Sequence, residues 1–340
     1  MSRSSAFGLL AFAWAAVVVA AYYVAHKPFS LSLLIGLSPL AILAGTILVG
    51  WMLGDWIIAA AGIAGTGTAR EKHATRSRGE LAMSIGLGLG LLGFIQLGLA
   101  AAGLLTPIIG WALIVIAAVW AIKNKRWREW GEVIRPPAGR ASQWLAIFCV
   151  LMLGVPLLRS LAPPTAWDAL VYHLTGPKLY LQTGRLTHDL DLAYLGFPQW
   201  GEMLFLWAMQ IGGERSAAAM HWIFAPLTLM LLPELMRPVT GGRPWLAAAI
   251  LLSTTTAVYL AGWAYVEWMM MFAITAAAVC LTHTYTAETA ESAEKEKGFS
   301  ANLAHSAVSF RWLALAGVFA GLAFGAKYSA AGAIFGLLVA

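Results

Sequence analysis

Long apolar runs dominate this chain and constrain its fold class before any motif is considered. Residues 81–103, for example, contain no Asp, Glu, Lys or Arg. A bilayer core of about 30 Å needs roughly 20 apolar residues per helix. Of the 340 residues, 60% are hydrophobic and 11% are charged, whereas soluble domains average about 25% charged residues. The chain is therefore predicted to be an all-α polytopic membrane protein.

The length criterion predicts about ten transmembrane helices. The first run lacks a small-residue cleavage pattern and is longer than the roughly 7–15 residues of a signal-peptide core, so a retained span is expected. The last run reaches Ala340 while still apolar, and a truncated chain is expected. The predicted spans are 6–25, 39–64, 81–103, 107–122, 143–161, 217–236, 245–263, 266–286, 309–326 and one that begins near 328.

Basic loops predict the orientation of these spans. Residues 69–80 hold four Lys and Arg, and residues 123–142 hold six. Because short cytoplasmic loops are enriched in Lys and Arg, both loops are predicted to be cytoplasmic. The N-terminus is then cytoplasmic as well, and the loop 162–216 is external.

Residues 199–213 form a further apolar run, QWGEMLFLWAMQIGG. About a dozen apolar residues are typical of an interfacial or re-entrant segment rather than a crossing helix. We therefore predict that this run lies at the membrane surface, where Glu202 and the aromatic residues Trp200, Trp207 and Trp222 fit an interfacial belt. If residues 199–213 do not cross the membrane, the later spans are oriented so that Glu267 lies on the external side.

The external loop holds a polar stretch, WDALVYHLTGPK, that contains the first candidate site residues. Asp168 is a candidate functional acid, since a carboxylate in hydrogen-bond reach of a proton donor can act as a general base. It is equally suited to cap a helix that starts at Ala169, and in such a helix Tyr172 would share its face. His173 either orients an acid, touches a phosphate, or is an ordinary interfacial histidine.

Basic and acidic residues downstream give further candidates for binding. Lys178 and Arg185 either contact a phosphate, to which Arg is suited, or are solvated. Asp189 and Asp191, in THDLD, either hold a divalent cation through carboxylate oxygens or lie in a solvated loop.

Ionisable residues also occur at the ends of apolar runs. A Lys at a helix centre costs about 3 kcal/mol on insertion scales, so Lys327 needs an anion such as a lipid phosphate, or it snorkels to the interface. Glu267 is either an acid that contacts a metal or a substrate, or a solvated rim residue. Asp55 is either bonded to a neighbouring helix or functional. Cys149 and Cys280 lie in apolar runs and are predicted to be packing residues.

Four pieces in order are similar to the GT-C superfamily of integral-membrane glycosyltransferases, in the manner of protein O-mannosyltransferases and aminoarabinose transferases. The pieces are WDALVYH, YLGFPQWGEMLFLWAMQIGG, LAGWAYVEWMMMF and LAGVFAGLAFGAKYSA. They carry Asp168, Glu267 and Lys327 and cover about residues 145–340. Family members often have adjacent acids in the first loop, whereas Ala169 and Leu170 follow Asp168.

This resemblance implies a function and a division of the chain. Residues 143–340 would form the GT-C-like core with the first external loop at 162–216, and residues 1–142 a four-span extension. The expected activity is transfer of a sugar, with inversion, from a polyprenyl-phosphate carrier in the membrane lipid to an acceptor outside the inner membrane. Asp168 would be the base, and the substrate would contact His173, Lys178, Glu267 and Lys327.

Two other functional classes fit the composition. A transporter or flippase of lipid-linked saccharide also needs ionisable residues in spans, although such proteins often show internal repeats and none is evident here. A non-catalytic membrane assembly protein gives Asp168 no role. Binding of nucleic acid is not expected, because the net charge of +6 is accounted for by the cytoplasmic loops.

The predicted topology can be tested with introduced cysteines. In intact cells, Asp189→Cys should react with an impermeant thiol reagent, and Arg128→Cys should react only after permeabilisation, because the two positions are predicted on opposite faces. Mass shift of the purified protein measures the labelling. The reverse pattern would invert the orientation.

Overall fold

A computed structural model describes residues 3–26, 31–62, 77–126, 128–129, 131, 135–187, 193–240, 244–294 and 299–339. Within these ranges the chain forms helices, turns and bends, and no strand. The predicted all-α fold is thus confirmed.

The described ranges contain fourteen α-helices, numbered in chain order. The first seven are α1 (Arg3–His26), α2 (Leu31–Ala60), α3 (Arg78–Ala101), α4 (Pro107–Lys123), α5 (Arg140–Ser160), α6 (Thr175–Thr183) and α7 (Trp200–Gly212). The others are α8 (Arg215–Trp222), α9 (Phe224–Thr240), α10 (Pro244–Leu252), α11 (Thr255–Ala261), α12 (Glu267–Glu294), α13 (Phe299–Ala326) and α14 (Ala330–Val339).

Five segments of the described residues are long and apolar enough to cross a membrane. They are Ile35–Ala60, Arg78–Ala101, Arg140–Ser160, Arg215–Met236 and Glu267–Tyr285. Shorter apolar helices include Pro107–Lys123 and Phe310–Ala326. The structure therefore agrees with a helical, multi-pass membrane protein, while the count of ten spans stays a prediction.

The chain divides into two compact units, Met1–Ser38 and Pro39–Ala340. The first unit contains α1 and the beginning of α2. In the second unit α3 packs against α7 and α9, so a helix before residue 142 shares a core with helices after it. The boundary predicted at residue 142 rests on the family resemblance and stays a prediction.

The second unit is organised around an antiparallel hairpin of α12 and α13. Helix α9 runs parallel to α12, because Phe224 packs on Phe272 with ring centroids 5.7 Å apart and Glu234 lies near His283 further along. Helix α3 runs the opposite way, with Ser77 at its start bonded to Glu234. We call the end of the bundle where α12 begins and α3, α5 and α13 finish the site end.

Helices α2 and α3 touch backbone to backbone through glycines. A Cβ on Gly54 would lie 1.7 Å from the Ser84 carbonyl oxygen, and one on Gly88 would lie 1.7 Å from that of Gly50. Small residues allow such close approach of helices in membranes. The contact also lets the Ser84 hydroxyl donate to the Asp55 carboxylate at 2.7 Å.

Asp55 is held by structural partners. Besides Ser84 it meets the Arg126 guanidinium at 2.6 Å, and the Asp55 side chain is 8% exposed. Of the two interpretations of Asp55, the hydrogen bond to a neighbouring helix is confirmed. The predicted packing role of the cysteines is also confirmed, because Cys149 and Cys280 are free and buried.

Helix α7 corrects the prediction for residues 199–213. Every residue from Trp200 to Gln210 is buried in the protein, so this helix lies inside the bundle and not on the membrane surface. The Trp200 indole N–H donates to the Gly90 carbonyl at 3.2 Å, and that of Trp207 donates to the Thr46 hydroxyl at 3.0 Å. The predicted aromatic belt is wrong for these two residues, because their N–H groups find partners within the protein.

The glycine contact predicts a sharp difference between two substitutions in α3. Gly88→Ala should destabilise the protein by at least about 1–3 kcal/mol, the typical penalty of overpacking. Gly98→Ala should be neutral or stabilising by up to about 1 kcal/mol from helix propensity, because nothing lies within 4 Å of a Cβ at Gly98. Apparent melting temperatures in detergent measure the difference. Equal melting temperatures would contradict the described α2–α3 packing.

Candidate active site

The chain between α5 and α7 positions the first candidate residue at the site end. Asp168 has helical dihedrals, φ −62° and ψ −38°, and its side chain makes no capping hydrogen bond to the π-helical turn Ala169–His173 that follows. The alternative role of Asp168 as an N-cap is therefore wrong. Single π-helical turns often occur at functional sites, because they rotate side chains out of the regular helical register.

Tyr172 connects Asp168 to the rest of the site. The negative charge of the Asp168 carboxylate acts on the Tyr172 hydroxyl, so the two side chains lie near each other. Burial, and then the negative charges of Asp168 and Glu267, raise the pKa of Tyr172 above its ordinary value. Tyr172 therefore keeps its proton and remains a hydrogen-bond donor.

Lys327 and Glu267 form an ion pair at the site end. The Lys327 ammonium donates to Glu267 Oε1 at 2.6 Å, and Glu267 Oε2 accepts the Val266 N–H at 3.2 Å. The Lys327 side chain is 39% exposed. An ammonium has three donors, so Lys327 can bind Glu267 and an anionic ligand at once.

His221 positions Glu267, although sequence reasoning did not single it out. It is fully buried, its Nδ1 lies 2.7 Å from the Trp263 carbonyl oxygen, and its Nε2 accepts the Trp268 N–H at 3.0 Å. These partners require a neutral ring that donates through Nδ1. The Trp268 N–H belongs to the first turn of α12, so His221 fixes the helix end that presents Glu267.

His173 and Glu202 form a buried pair that crosses from the π-helical turn to α7. The His173 Nδ1 lies 2.7 Å from Glu202 Oε1, and the two residues are 2% and 7% exposed. His173 thus orients an acid, as one of its predicted roles proposed. The sequence prediction placed Glu202 at the membrane surface. An acid within a buried apolar helix needs a partner. This requirement is the signal from which the pairing of Glu202 could have been predicted.

Each member of this pair retains one polar atom without a partner. His173 Nε2 and Glu202 Oε2 are both buried and have no hydrogen bond to any described residue. A buried polar atom left unpaired costs about 1–3 kcal/mol. Such atoms are therefore uncommon in native structures and mark places where a ligand or water binds.

The pairs surround a cavity of about 200 Å³ at the site end. Aromatic rings form much of its wall: Tyr172 stacks on Tyr194 with ring centroids 5.0 Å apart, and Phe197 meets Tyr172 edge to face. The Tyr328 hydroxyl donates to the Gly196 carbonyl at 3.1 Å. The lining residues are Tyr172, His173, Phe197, Pro198, Glu202, Val266, Ala326, Lys327, Tyr328 and Ser329.

Other predicted site residues lie elsewhere. Lys178 forms an ion pair with Glu214 at 2.7 Å, with both side chains well exposed, and it does not line the cavity. Arg185 is exposed. Asp189 and Asp191 lie outside the described residues, so their predicted metal role stays a prediction. Within the described ranges, no group of three or more His, Cys, Asp or Glu is arranged to hold a metal ion.

Comparison of the chain with protein-family models, with curated proteins and with solved structures finds no match. The chemistry of the site is therefore the guide to function. An ammonium that can bind a second anionic partner and a buried His–Glu pair line one small cavity. This combination suits a substrate that carries both hydroxyl groups and a phosphate.

The raised pKa of Tyr172 can be measured by titrating tyrosinate absorbance. Native wild type and Tyr172→Phe should match through the ordinary tyrosine range near pH 10, because Tyr172 stays protonated there. After denaturation, wild type should show one more titrating tyrosine than Tyr172→Phe. Since the folded-state pKa is raised, the stabilisation from this group is present below pH of about 10 and is lost as pH rises through the folded-state value. Lower amplitude in native Tyr172→Phe near pH 10 would contradict the described environment.

Proposed function

We propose that the protein is a membrane glycosyltransferase of the GT-C type. It transfers a sugar from a polyprenyl-phosphate carrier to an acceptor on the external face of the membrane. The observation that carries the proposal is one cavity lined by His173, Glu202 and Lys327. Glu267 is paired with Lys327, and Asp168 lies near the lining residue Tyr172. These groups come from four separate segments of the chain.

In this proposal Asp168 is the general base. Its carboxylate takes the proton of the acceptor hydroxyl while the hydroxyl oxygen forms a bond to the anomeric carbon. The bond between that carbon and the phosphate oxygen breaks, and its electron pair leaves with the polyprenyl phosphate. Attack from the side opposite the phosphate inverts the anomeric configuration. The Tyr172 hydroxyl, which the nearby Asp168 charge helps to keep protonated, is the proposed hydrogen-bond donor that orients this carboxylate.

Lys327 has the complementary role at the leaving group. Its ammonium lines the cavity and is partly exposed, so it can contact the phosphate of the donor. Negative charge grows on that phosphate as the glycosidic bond breaks, and a fixed positive charge lowers the energy of this transition state. Glu267 holds the ammonium in place through the 2.6 Å ion pair.

The distribution of basic residues supports the proposed orientation. Arg78 begins α3, Lys123 ends α4 and Arg140 begins α5, so all three lie at the end of the bundle opposite the site. By the positive-inside rule that end is cytoplasmic, and the cavity is external. The proposed location is the inner membrane, with a cytoplasmic N-terminus.

Movement of a lipid-linked saccharide across the membrane is the second candidate. Helices α10 and α11 are two short helices separated at Ser253 and Thr254, and α7 is a short helix enclosed in the bundle. Discontinuous helices are typical of transporters. A flippase would move the lipid in proteoliposomes without an acceptor and without release of polyprenyl phosphate, so one reconstituted assay separates the two functions.

The decisive experiment is sugar transfer by the purified chain in nanodiscs, with radiolabelled polyprenyl-phosphate sugars as donors. Asp168→Asn should lower turnover about 100-fold or more, because it keeps the shape of the side chain and removes the proton acceptor. Glu214→Gln is the matched control. Glu214 is an exposed acid in a surface ion pair, and such pairs contribute at most about 1 kcal/mol.

The possible outcomes test the glycosyl-transfer reaction and the assignment of Asp168 as its base independently. Normal transfer by Asp168→Asn would end the role of Asp168. Absence of transfer by wild type, from every donor tested, would end the glycosyltransferase proposal. A chelator that abolishes wild-type transfer would instead indicate a divalent cation and direct attention to Asp189 and Asp191.

A further inference from the structure

The buried His173–Glu202 pair has no role in the steps above, yet both residues line the cavity. One atom of each, His173 Nε2 and Glu202 Oε2, lacks a hydrogen-bond partner among the described residues. The other atoms of the pair are joined at 2.7 Å, which holds both side chains in one orientation. Each residue of this rigid, buried pair has one polar atom with a partner and one without. Such a pair is suited to bind the polar groups of a ligand.

The charge of the pair excludes a phosphate as its preferred ligand. With Glu202 ionised, the pair carries a charge of −1 if His173 is neutral and 0 if it is protonated. Neither state attracts an anion. Lys327, on the same cavity, supplies the positive charge that a phosphate requires, so the two ends of the cavity suit different parts of one ligand.

The hydrogen-bonding capacity of the pair favours hydroxyl groups. If His173 is neutral and donates through Nδ1 to Glu202, its Nε2 is an acceptor. Glu202 Oε2 is an acceptor as well, and the two atoms together therefore need O–H donors. Neighbouring hydroxyls of a sugar ring supply two such donors at short spacing.

The walls and size of the cavity limit the ligand further. The rings of Tyr172, Phe197 and Tyr328 line it, and aromatic faces give an apolar surface on which the C–H face of a sugar ring can pack. Its volume of about 200 Å³ lies below the roughly 300–1,000 Å³ of pockets for drug-sized molecules. One monosaccharide ring fits this size better than an oligosaccharide.

We propose that His173 and Glu202 form the floor of a monosaccharide subsite, where His173 Nε2 and Glu202 Oε2 accept hydrogen bonds from hydroxyls of the donor sugar. The phosphate of the same donor binds at Lys327. This inference rests on the proposed function, because it assigns to the donor of that reaction a place in the cavity. It adds Glu202 to the site and predicts that the cavity recognises one sugar ring.

The test compares lipids that differ only in the sugar. The purified chain in nanodiscs is titrated with decaprenyl phosphate and with decaprenyl phosphate carrying a glucosyl, mannosyl, galactosyl or arabinosyl group. Glu202→Gln keeps an oxygen for His173 and turns the unpaired acceptor into a donor. His173→Asn keeps an amide N–H near the Nδ1 position and deletes Nε2. Glu214→Gln and His283→Asn are the matched controls, because both residues lie outside the cavity.

Wild type should bind at least one sugar-bearing lipid more tightly than decaprenyl phosphate. Glu202→Gln and His173→Asn should reduce that preference about 10-fold, the scale of a lost hydrogen bond to a charged group, and leave binding of decaprenyl phosphate unchanged. Lys327→Met should weaken both kinds of lipid equally. The two controls should behave as wild type.

Other outcomes overturn the subsite or the function separately. If wild type transfers sugar but both variants keep the full preference, the subsite is wrong and the proposed function survives. If wild type shows no preference for any sugar, the subsite is also wrong, and the transfer assay decides the function alone. If the variants fail to fold, a photoreactive group on the sugar should label wild type at Tyr172, Phe197 or Glu202, and labelling confined to other segments would overturn the proposal.

Discussion

An ionisable side chain inside an apolar helix bundle must find a partner, and the architecture of the site depends on this requirement. An unpaired charge at such depth is costly, and three ion pairs join distant segments of the chain. Asp55 joins α2 to the chain after α4, Glu267 joins α12 to the end of α13, and His173 joins the π-helical turn that follows α5 to α7. The last two of these connections also define the cavity.

Helix α7 shows how the cavity is supported. This short helix is enclosed by protein and brings Glu202 to His173, while the indole N–H of Trp200 binds the backbone of α3. Gly93 makes room for Trp200, because a Cβ there would lie 2.6 Å from its Nε1. Small residues in α3 therefore contribute indirectly to the position of the cavity floor.

The two ends of the cavity differ in chemistry, and this difference links the structure to the proposed reaction. Lys327 offers positive charge to a phosphate, and the His173–Glu202 pair offers hydrogen-bond acceptors. Asp168 lies near Tyr172, whose ring lines the cavity. A sugar joined to a lipid phosphate would place its anomeric carbon between these groups, which is where an acceptor hydroxyl and its base must meet.

The sequence alone determined the helical membrane class, because apolar run length and low charge depend only on local composition. It also identified Asp168, His173, Glu267 and Lys327, since ionisable residues stand out in apolar surroundings. Only the tertiary structure decided their partners. The burial of α7 and the pairing of Glu202 arise from contacts with helices far apart in sequence. The surface ion pair of Lys178 with Glu214 depends on how the chain folds between α5 and α8. Local periodicity contains no information about which distant helix will cover a given face, so these features could not be predicted from the sequence.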